Sequence, residues 1–208
     1  MLFPEAILTT AYLPSVEYFF AIAQSGRVLI EQNELYQKQS YRNRCRIFSA
    51  GGVEQLIIPV IKDGSHSRPI RDVRIDYSDN WLLRHKRAID AAYNSSPFYL
   101  YYKDDFTGIF DSRPEFLFDF NMKFLELLLE LIGLKADMRL TDKFESEYPS
   151  GDFRARIQPK YKGETLMREY KKEKTYFQVF SNKLGFQPNL SVIDLLFNEG
   201  PDSVSYLL

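Results

Sequence analysis

The N-terminal part of the chain alternates between short apolar runs and one amphipathic segment. Apolar and β-branched residues at 6–10 and 28–30 predict two buried strands. Between them, apolar side chains at helical spacing predict a helix over residues 16–24, which Ser25 and Gly26 end. Strand, helix, strand is the order of a βαβ unit, in which the two strands are parallel and the crossover is right-handed.

Three later segments predict further β structure. Residues 45–49 and 53–61 flank the turn sequence Ala50-Gly51-Gly52, which is typical of a hairpin. Residues 70–77 alternate between apolar and polar positions, which indicates a half-buried strand. Residues 138–141 form another short strand by the same criteria.

Three more segments predict helices. Residues 80–92 carry apolar side chains at helical spacing, and residues 191–198 do so after Ser191. The longest helix is expected over residues 113–132, with Ser112 and Glu115 as a capping box. Residues 145–174 are polar and interrupted by Gly and Pro, so little regular structure is expected there.

These elements together predict an α/β fold with a Rossmann-like βαβ core. The sheet is expected to be mostly parallel, with an inserted hairpin and a helical C-terminal part. A chain of 208 residues can bury one substantial core, so a single domain over residues 1–208 is expected. The 17 Phe and 14 Tyr supply large apolar surfaces for that core.

The overall charge argues against nucleic acid as a partner. The chain has 27 Lys and Arg against 28 Asp and Glu, for a net charge of −1, so it lacks a strong positive field. Cys45 is the single cysteine, which excludes an intrachain disulfide and a cysteine-based metal cluster, and no other metal-ligand spacing is present.

The apolar segments do not resemble targeting or membrane-spanning sequences. Near the N-terminus, Pro4 and Glu5 interrupt the apolar run, and no basic segment precedes it. The most apolar stretch, residues 116–134, carries four charges that a bilayer would disfavour: Asp119, Lys123, Glu126 and Glu130. A cytoplasmic protein without stable membrane insertion is therefore expected.

The first candidate site is the loop between the first strand and the first helix, Tyr12-Leu13-Pro14-Ser15. In a βαβ unit this loop lies at the carboxyl edge of the sheet, where free N–H groups of the helix start can face an anion. Ser15 would add a hydroxyl, and Tyr12 would stack on a base or sugar. The alternative interpretation is a simple N-cap after a proline turn, because no glycine-rich phosphate loop is present.

The second candidate is the basic run from Tyr36 to Arg46, which contains no acidic residue. Arg42 and Arg44 would each grip a phosphate or carboxylate through two hydrogen bonds, and Lys38 would add a point charge. Three polar or aromatic residues of the same run are further candidates for binding the substrate, namely Gln37, Tyr41 and Asn43. The alternative interpretation is a plain solvated surface.

The third candidate is residues 151–162, which are also basic and include Arg154 and Arg156. Irregular segments of this kind often carry binding residues. The alternative interpretation is a disordered, solvated stretch.

The sequence offers few side chains that could act as a general acid or base. His85 has apolar neighbours at helical spacing, so a packed histidine is an alternative to a catalytic base. Glu17 and Asp76 are the carboxylate candidates. His66 is expected in an exposed loop, and Cys45, between two arginines, is expected to be buried rather than reactive.

Several segments resemble the WbqC-like family over nearly the whole chain. The resemblance lies in the aromatic-proline loop from Tyr12, in the basic run, and in a C-terminal block at residues 188–201. Shorter matches occur at Pro59-Val60, Ile75-Asp76, Trp81, His85 and Pro97-Phe98-Tyr99. The resemblance implies a bacterial protein of O-antigen or other surface-polysaccharide synthesis, as a transferase that adds glycine or another acyl group to a sugar.

The chain departs from relatives in two places. Thr9-Thr10-Ala11 precedes Tyr12 where many relatives have a Gln-Pro-Asn-Tyr-like motif, and Arg154 and Arg156 stand where many have a Gly-rich stretch. In those relatives the opening loop looks similar to that of nucleotidyl-transferring Rossmann-like enzymes, which use histidines there. This chain has no histidine in the loop, which weakens the case for nucleotidyl transfer. Nucleotidyl transfer nevertheless stays open as a further alternative function.

Two main hypotheses follow. In the first, the protein is an acyl or aminoacyl transferase on a nucleotide- or lipid-linked sugar, and the basic clefts hold an anionic small-molecule substrate. In the second, it is a non-catalytic module that binds a nucleotide-sugar or a partner in the same clefts. The expected cofactor-like ligand is a nucleotide or nucleotide-sugar under either hypothesis.

Overall fold

The chain forms a mixed α/β fold around a short parallel sheet, as a computed structural model describes it for residues 1–62, 67–149 and 151–208. Strand β1 (Phe3–Thr9), helix α1 (Val16–Ala23) and strand β2 (Ser25–Glu31) make the βαβ unit. The strands pair in parallel from Phe3 opposite Ser25 to Thr9 opposite Glu31. The predicted βαβ core is therefore confirmed.

A third parallel strand extends this sheet. With the other strands numbered in chain order, β5 (Met138–Leu140) pairs with β2, which gives the order β1-β2-β5. On the free side of β1, Ile7 forms a parallel bridge with Asp152. Parallel strands end at a common edge, so the residues that follow Thr9, Glu31 and Leu140 are brought together there.

The predicted hairpin forms a separate two-stranded sheet. Strands β3 (Arg44–Ser49) and β4 (Gly52–Ile57) pair antiparallel, with Ser49 opposite Gly52 at the turn. Gly52 has a φ of 109°, a conformation that an L side chain rarely adopts. This explains the glycine at the position where the chain reverses.

Helices α2 (Trp81–Tyr93), α3 (Tyr99–Ser112) and α4 (Leu117–Ile132) pack on this framework. Helix α2 buries Trp81, His85, Ile89 and Ala92 at the spacing of one helical face. Helix α4 is the most extensively buried of the three and ends at Gly133, whose φ is 74°.

Two sequence predictions are wrong in this region. Residues 70–77 do not form a strand: Ile70–Asp72 is a turn of 3₁₀ helix, followed by isolated bridges from Arg74 to Phe116 and from Ile75 to Val60. Their alternation arises because the chain passes between two layers and buries Ile70, Val73 and Ile75. Ser112 does not cap a helix at residue 113, because it is the last residue of α3, and α4 begins at Leu117.

The C-terminal part is helical and returns to the start of the chain. Short helices α5 (Leu166–Glu169) and α6 (Ser181–Leu184) precede α7 (Val192–Glu199) and a 3₁₀ segment, Gly200–Tyr206. Seven of the eight residues of α7 are buried, and Phe197 packs edge-to-face on Tyr93, Tyr99 and Phe106. Among the described residues, no helix combines the length and apolar character that crossing a bilayer requires.

Candidate functional site

Residues 36–44, which we call the shared segment, connect the parallel sheet to the hairpin and line two cavities. Tyr36, Lys38, Asn43 and Arg44 line a cavity of about 590 Å³, the hairpin cavity. Gln37 and Arg42 line a cavity of about 180 Å³, the sheet-edge cavity. The predicted basic run is thus divided between two sites rather than gathered at one.

The hairpin cavity carries cations without carboxylate partners. Arg44 and Lys38 lie on the shared segment, and Lys62 follows the hairpin. Among the ion pairs of the described residues, none involves these three side chains. The Arg44 Nε atom is buried without a hydrogen-bond partner in the described part of the chain, so this guanidinium retains unused donor capacity.

Two carboxylates complete the hairpin cavity. Asp79 accepts two hydrogen bonds of 2.7 Å from Arg84, which neutralises its charge locally. Asp76 accepts a hydrogen bond of 2.9 Å from the backbone N–H of Ser78, and its bonds to Ser78 lower the pKa of its carboxyl. Asp76 is therefore an ionised, solvent-accessible carboxylate beside Arg44 and Lys62 in the same cavity.

The sheet-edge cavity has the opposite character, because its charges are paired. Arg42 donates from Nε to Glu34 Oε1 at 2.9 Å and from Nη2 to Glu34 Oε2 at 2.5 Å. Arg154 forms a similar bidentate pair with Asp152, in which its Nε and Nη2 donate hydrogen bonds of 2.9 and 2.6 Å to the carboxylate. Both arginines line this cavity, yet neither guanidinium is free to neutralise an incoming anion.

Buried groups lie behind this cavity. Glu31, at the end of β2, is fully buried, and its Oε1 accepts a hydrogen bond of 2.9 Å from Thr141. Its Oε2 lies 3.5 Å from Nη1 of Arg154 and has no hydrogen bond among the described residues. Burial raises the pKa of Glu34, and the Arg42 guanidinium opposes that rise.

The opening loop does not form the predicted anion site. The N–H of Val16 donates to Leu190 O at 2.9 Å, that of Glu17 to Asn189 Oδ1 at 3.0 Å, and that of Tyr18 to the capping Ser15 Oγ at 3.3 Å. The C-terminal block and the capping Ser15 together therefore occupy the donors of the first turn of α1. The N-cap interpretation is the one that this geometry supports.

Tyr12 is also inside the core rather than at a ligand site. It is fully buried, its ring stacks on Phe120, and its hydroxyl lies 2.9 Å from Nδ1 of His85. Burial lowers the pKa of His85 to about 4. His85 lines neither cavity, and its buried position fits the packed-histidine alternative better than the general-base prediction.

Glu17 likewise has a structural position. Its two carboxylate oxygens accept hydrogen bonds from the Leu166 N–H at 2.7 Å and from Asn189 Nδ2 at 2.9 Å. Burial raises the pKa of Glu17. The carboxylate joins α1, α5 and the C-terminal block, and it lines neither cavity, which argues against the predicted catalytic role.

Two remaining candidates from the basic segments lie away from both cavities. Tyr41 is buried beside the α1 loop, where its carbonyl accepts from the Tyr12 N–H at 2.9 Å. Arg156 forms an ion pair with Glu169 and, unlike Arg154, does not line the sheet-edge cavity. His66, expected in an exposed loop, lies outside the described residues.

The residues that the sequence did not single out are Lys62, Glu31 and Glu34. Glu31 is the last residue of β2 and Glu34 lies in the segment that follows, at the edge where parallel strands end, so the βαβ pattern is the signal that could have indicated them. Within residues 1–62, 67–149 and 151–208, no group of three or more His, Cys, Asp or Glu side chains is arranged to hold a metal ion.

Comparisons with known proteins identify the family. The family model described as "WbqC-like protein family" matches residues 10–169 and 160–206. The uncharacterised protein Rv1507c of Mycobacterium tuberculosis is 28% identical over 226 residues, which cover 97% of this chain and 96% of that protein. No solved structure matches the chain. Because the family model spans nearly the whole sequence, this chain belongs to the WbqC-like protein family.

Proposed function

We propose that the protein is a transferase of surface-polysaccharide synthesis, which binds the phosphate of a nucleotide- or lipid-linked sugar in the hairpin cavity. The transferred group is an acyl or aminoacyl group such as glycine. The class of reaction rests on the sequence resemblance to the family. The location rests on one observation, a cavity of about 590 Å³ lined by three cations that form no ion pair with the described residues.

The chemistry of these cations suits a phosphate. The planar fork of Arg44 presents donors that match two phosphate oxygens, and its buried Nε has no other partner in the described part of the chain. Lys38 and Lys62 add charge without fixing orientation. Tyr36, whose side chain lines the same cavity, offers an aromatic wall for a base or sugar ring.

Asp76 is the only predicted catalytic residue of the three that lines this cavity. As an ionised carboxylate it would accept a hydrogen bond from the attacking hydroxyl or amine of the acceptor and orient it. Its lowered pKa makes it a weak base, so positioning and charge stabilisation would supply most of the rate effect. Nucleotidyl transfer through the opening loop is not part of this proposal, because that loop is buried.

A second candidate function is binding of the same ligand without turnover. It is favoured by the burial of His85 and Glu17, because Asp76 is then the one predicted catalytic residue of the three that lines the cavity. A nucleotide-sugar-binding subunit needs the cations and the cavity but no general base.

Binding is tested by titrating UDP-N-acetylglucosamine and dTDP-glucose into the wild type and into Arg44→Ala, Lys38→Ala and Arg87→Ala. Arg87 is exposed on α2, outside the cavity, so it controls for loss of one positive charge. A lost charged hydrogen bond is worth about 1.5–3 kcal/mol, so Arg44→Ala should weaken binding roughly 10-fold or more. Equal affinities for all four proteins would refute the phosphate site.

Turnover separates the two functions. Mass spectrometry would follow transfer to the bound nucleotide-sugar from acetyl-CoA or from glycine with ATP. A product formed by the wild type and lost in Asp76→Asn, with nucleotide-sugar affinity retained, supports the transferase. Wild-type binding with no product from either donor supports the binding subunit.

A further inference from the structure

The sheet-edge cavity is lined by charges that cancel. Two carboxylates and two guanidinium groups line it, and they form the pairs Arg42 with Glu34 and Arg154 with Asp152. A ligand carrying a full charge of either sign would have to compete with one of these bidentate pairs. An uncharged ligand would leave both pairs intact.

Unused hydrogen-bonding groups remain around this neutral lining. Arg42 is only 1% exposed, and the two bonds to Glu34 leave its Nη1 buried without a partner among the described residues. Gln37 and Ser146 line the same cavity, and neither side chain forms a hydrogen bond within the described chain. Gln158 donates its amide to Arg154 O at 2.7 Å, which leaves its carbonyl oxygen as an acceptor.

The cavity also has one apolar wall of suitable shape. Phe144 is 51% exposed, and the Arg154 guanidinium lies over its ring at 5.4 Å and over that of Tyr148 at 4.9 Å. The guanidinium is thus fixed between aromatic rings as well as by Asp152. The volume of about 180 Å³ corresponds to roughly six waters at about 30 Å³ each, enough for one small ring.

We infer that the sheet-edge cavity is a second binding site, which takes an uncharged, hydroxyl-rich ring such as a single sugar unit. Each hydroxyl both donates and accepts, so it satisfies donors such as Arg42 Nη1 and acceptors such as the Gln158 carbonyl at once. The apolar face of the ring packs on Phe144. Different residues of the shared segment line this site and the hairpin cavity, and the inference does not depend on the phosphate proposal.

The test uses neutral probes and a substitution that fills the cavity. D-glucose, D-galactose, N-acetyl-D-glucosamine and myo-inositol would be screened by saturation-transfer NMR, and affinities measured by calorimetry. Ala155 lines the cavity and is exposed, so Ala155→Phe should block it while the fold is retained. Ala91→Phe on the exposed face of α2 is the matched control, and a circular-dichroism melt verifies each fold.

The expected result is binding of at least one neutral probe that Ala155→Phe weakens at least 10-fold and that Ala91→Phe and Arg44→Ala leave unchanged. Gln37→Ala should weaken it several-fold. The inference would be overturned by no binding of any neutral probe or by equal binding by Ala155→Phe. Loss of binding in Arg44→Ala would overturn it too, because the sugar would then be assigned to the hairpin cavity. Methylammonium or inorganic phosphate could also displace the neutral probe more strongly than the neutral probes displace one another. That result would overturn the inference, because the preferred ligand would then be charged.

Discussion

The guanidinium of Arg42 and the carboxylate of Glu34 meet edge to edge in the interior, with distances of 2.9 and 2.5 Å. Their side chains are 1% and 6% exposed. The backbone carbonyl of Arg42 also accepts a hydrogen bond of 2.8 Å from Asn121 on α4. This pair therefore ties the shared segment both to the end of β2 and to the helical layer.

The pair gives a prediction about stability. Arg42→Ala should lower the free energy of unfolding by about 3–5 kcal/mol, because Glu34 would remain buried and unpaired. The double variant Arg42→Met/Glu34→Leu should cost much less, since both charges are removed together. Urea unfolding of the two variants checks this, and an Arg42→Ala protein as stable as the wild type would contradict it.

His85 predicts an acid-dependent loss of stability. Its pKa is lowered from about 6.5 to about 4 by burial, so the folded state holds the neutral ring and the unfolded state takes up the proton first. The stabilisation is present above pH 6.5 and is lost as the pH falls towards 4, by about 3 kcal/mol for a shift of this size. In the folded protein the Tyr12 hydroxyl lies 2.9 Å from Nδ1 of this ring.

The measurement is the unfolding free energy of wild type and His85→Gln at pH 7.5, 6, 5 and 4. The difference between the two proteins should shrink as the pH falls, because glutamine does not titrate. A difference that stays constant over this range would show that His85 does not take up a proton on unfolding.

The thiol of Cys45 should be unreactive in the folded protein. Cys45 is buried in β3, and burial raises the pKa of its thiol far above the usual range, so the reactive thiolate is suppressed despite the flanking Arg44 and Arg46. A chromogenic disulfide reagent at pH 8 should label it only after urea unfolding. Rapid labelling of the native protein would contradict its position.

Two glycines with similar backbone angles should respond differently to alanine. Gly151 has a φ of 71°, and a Cβ there would overlap the carbonyl oxygen of Glu5 on β1. Gly133 has a φ of 74° with open space around it. Gly133→Ala should cost about 1–2 kcal/mol from backbone strain alone, whereas Gly151→Ala should cost more. Thermal and urea unfolding compare them, and equal costs would mean that β1 and residue 151 are not in close contact.

The βαβ unit and the hairpin could be predicted because local signals determine them. Buried strands flank an amphipathic helix, and Gly51-Gly52 favours a tight reversal. Helix α3 was missed because its aromatic start and mixed polar pattern carry no clear cap, and packing on Phe197 stabilises it instead. Residues 70–77 are the opposite case, because a strand is predicted there and does not form. The alternation of apolar and polar positions in this segment reflects burial between layers rather than strand pairing.

The candidate sites were predicted less well, because charge in a sequence does not reveal partners. The basic run contains no acidic residue, yet Glu34, eight residues before Arg42, pairs with Arg42 in the folded chain. Arg46 donates to the carbonyl of Pro188 at 3.3 Å, in a distant segment. Within the described chain Lys38 and Arg44 form no ion pair, and this difference from Arg42 depends on tertiary contacts that the sequence does not show.

The hydrogen bonds from Val16 and Glu17 to Leu190 and Asn189 have a consequence for synthesis of the chain. A ribosome releases the start of α1 long before the residues that complete its first turn. An emerging N-terminal half would therefore expose an unfinished helix end and the apolar faces beside it. The first turn of α1 therefore reaches its native hydrogen bonding only after residues 189 and 190 have been synthesised.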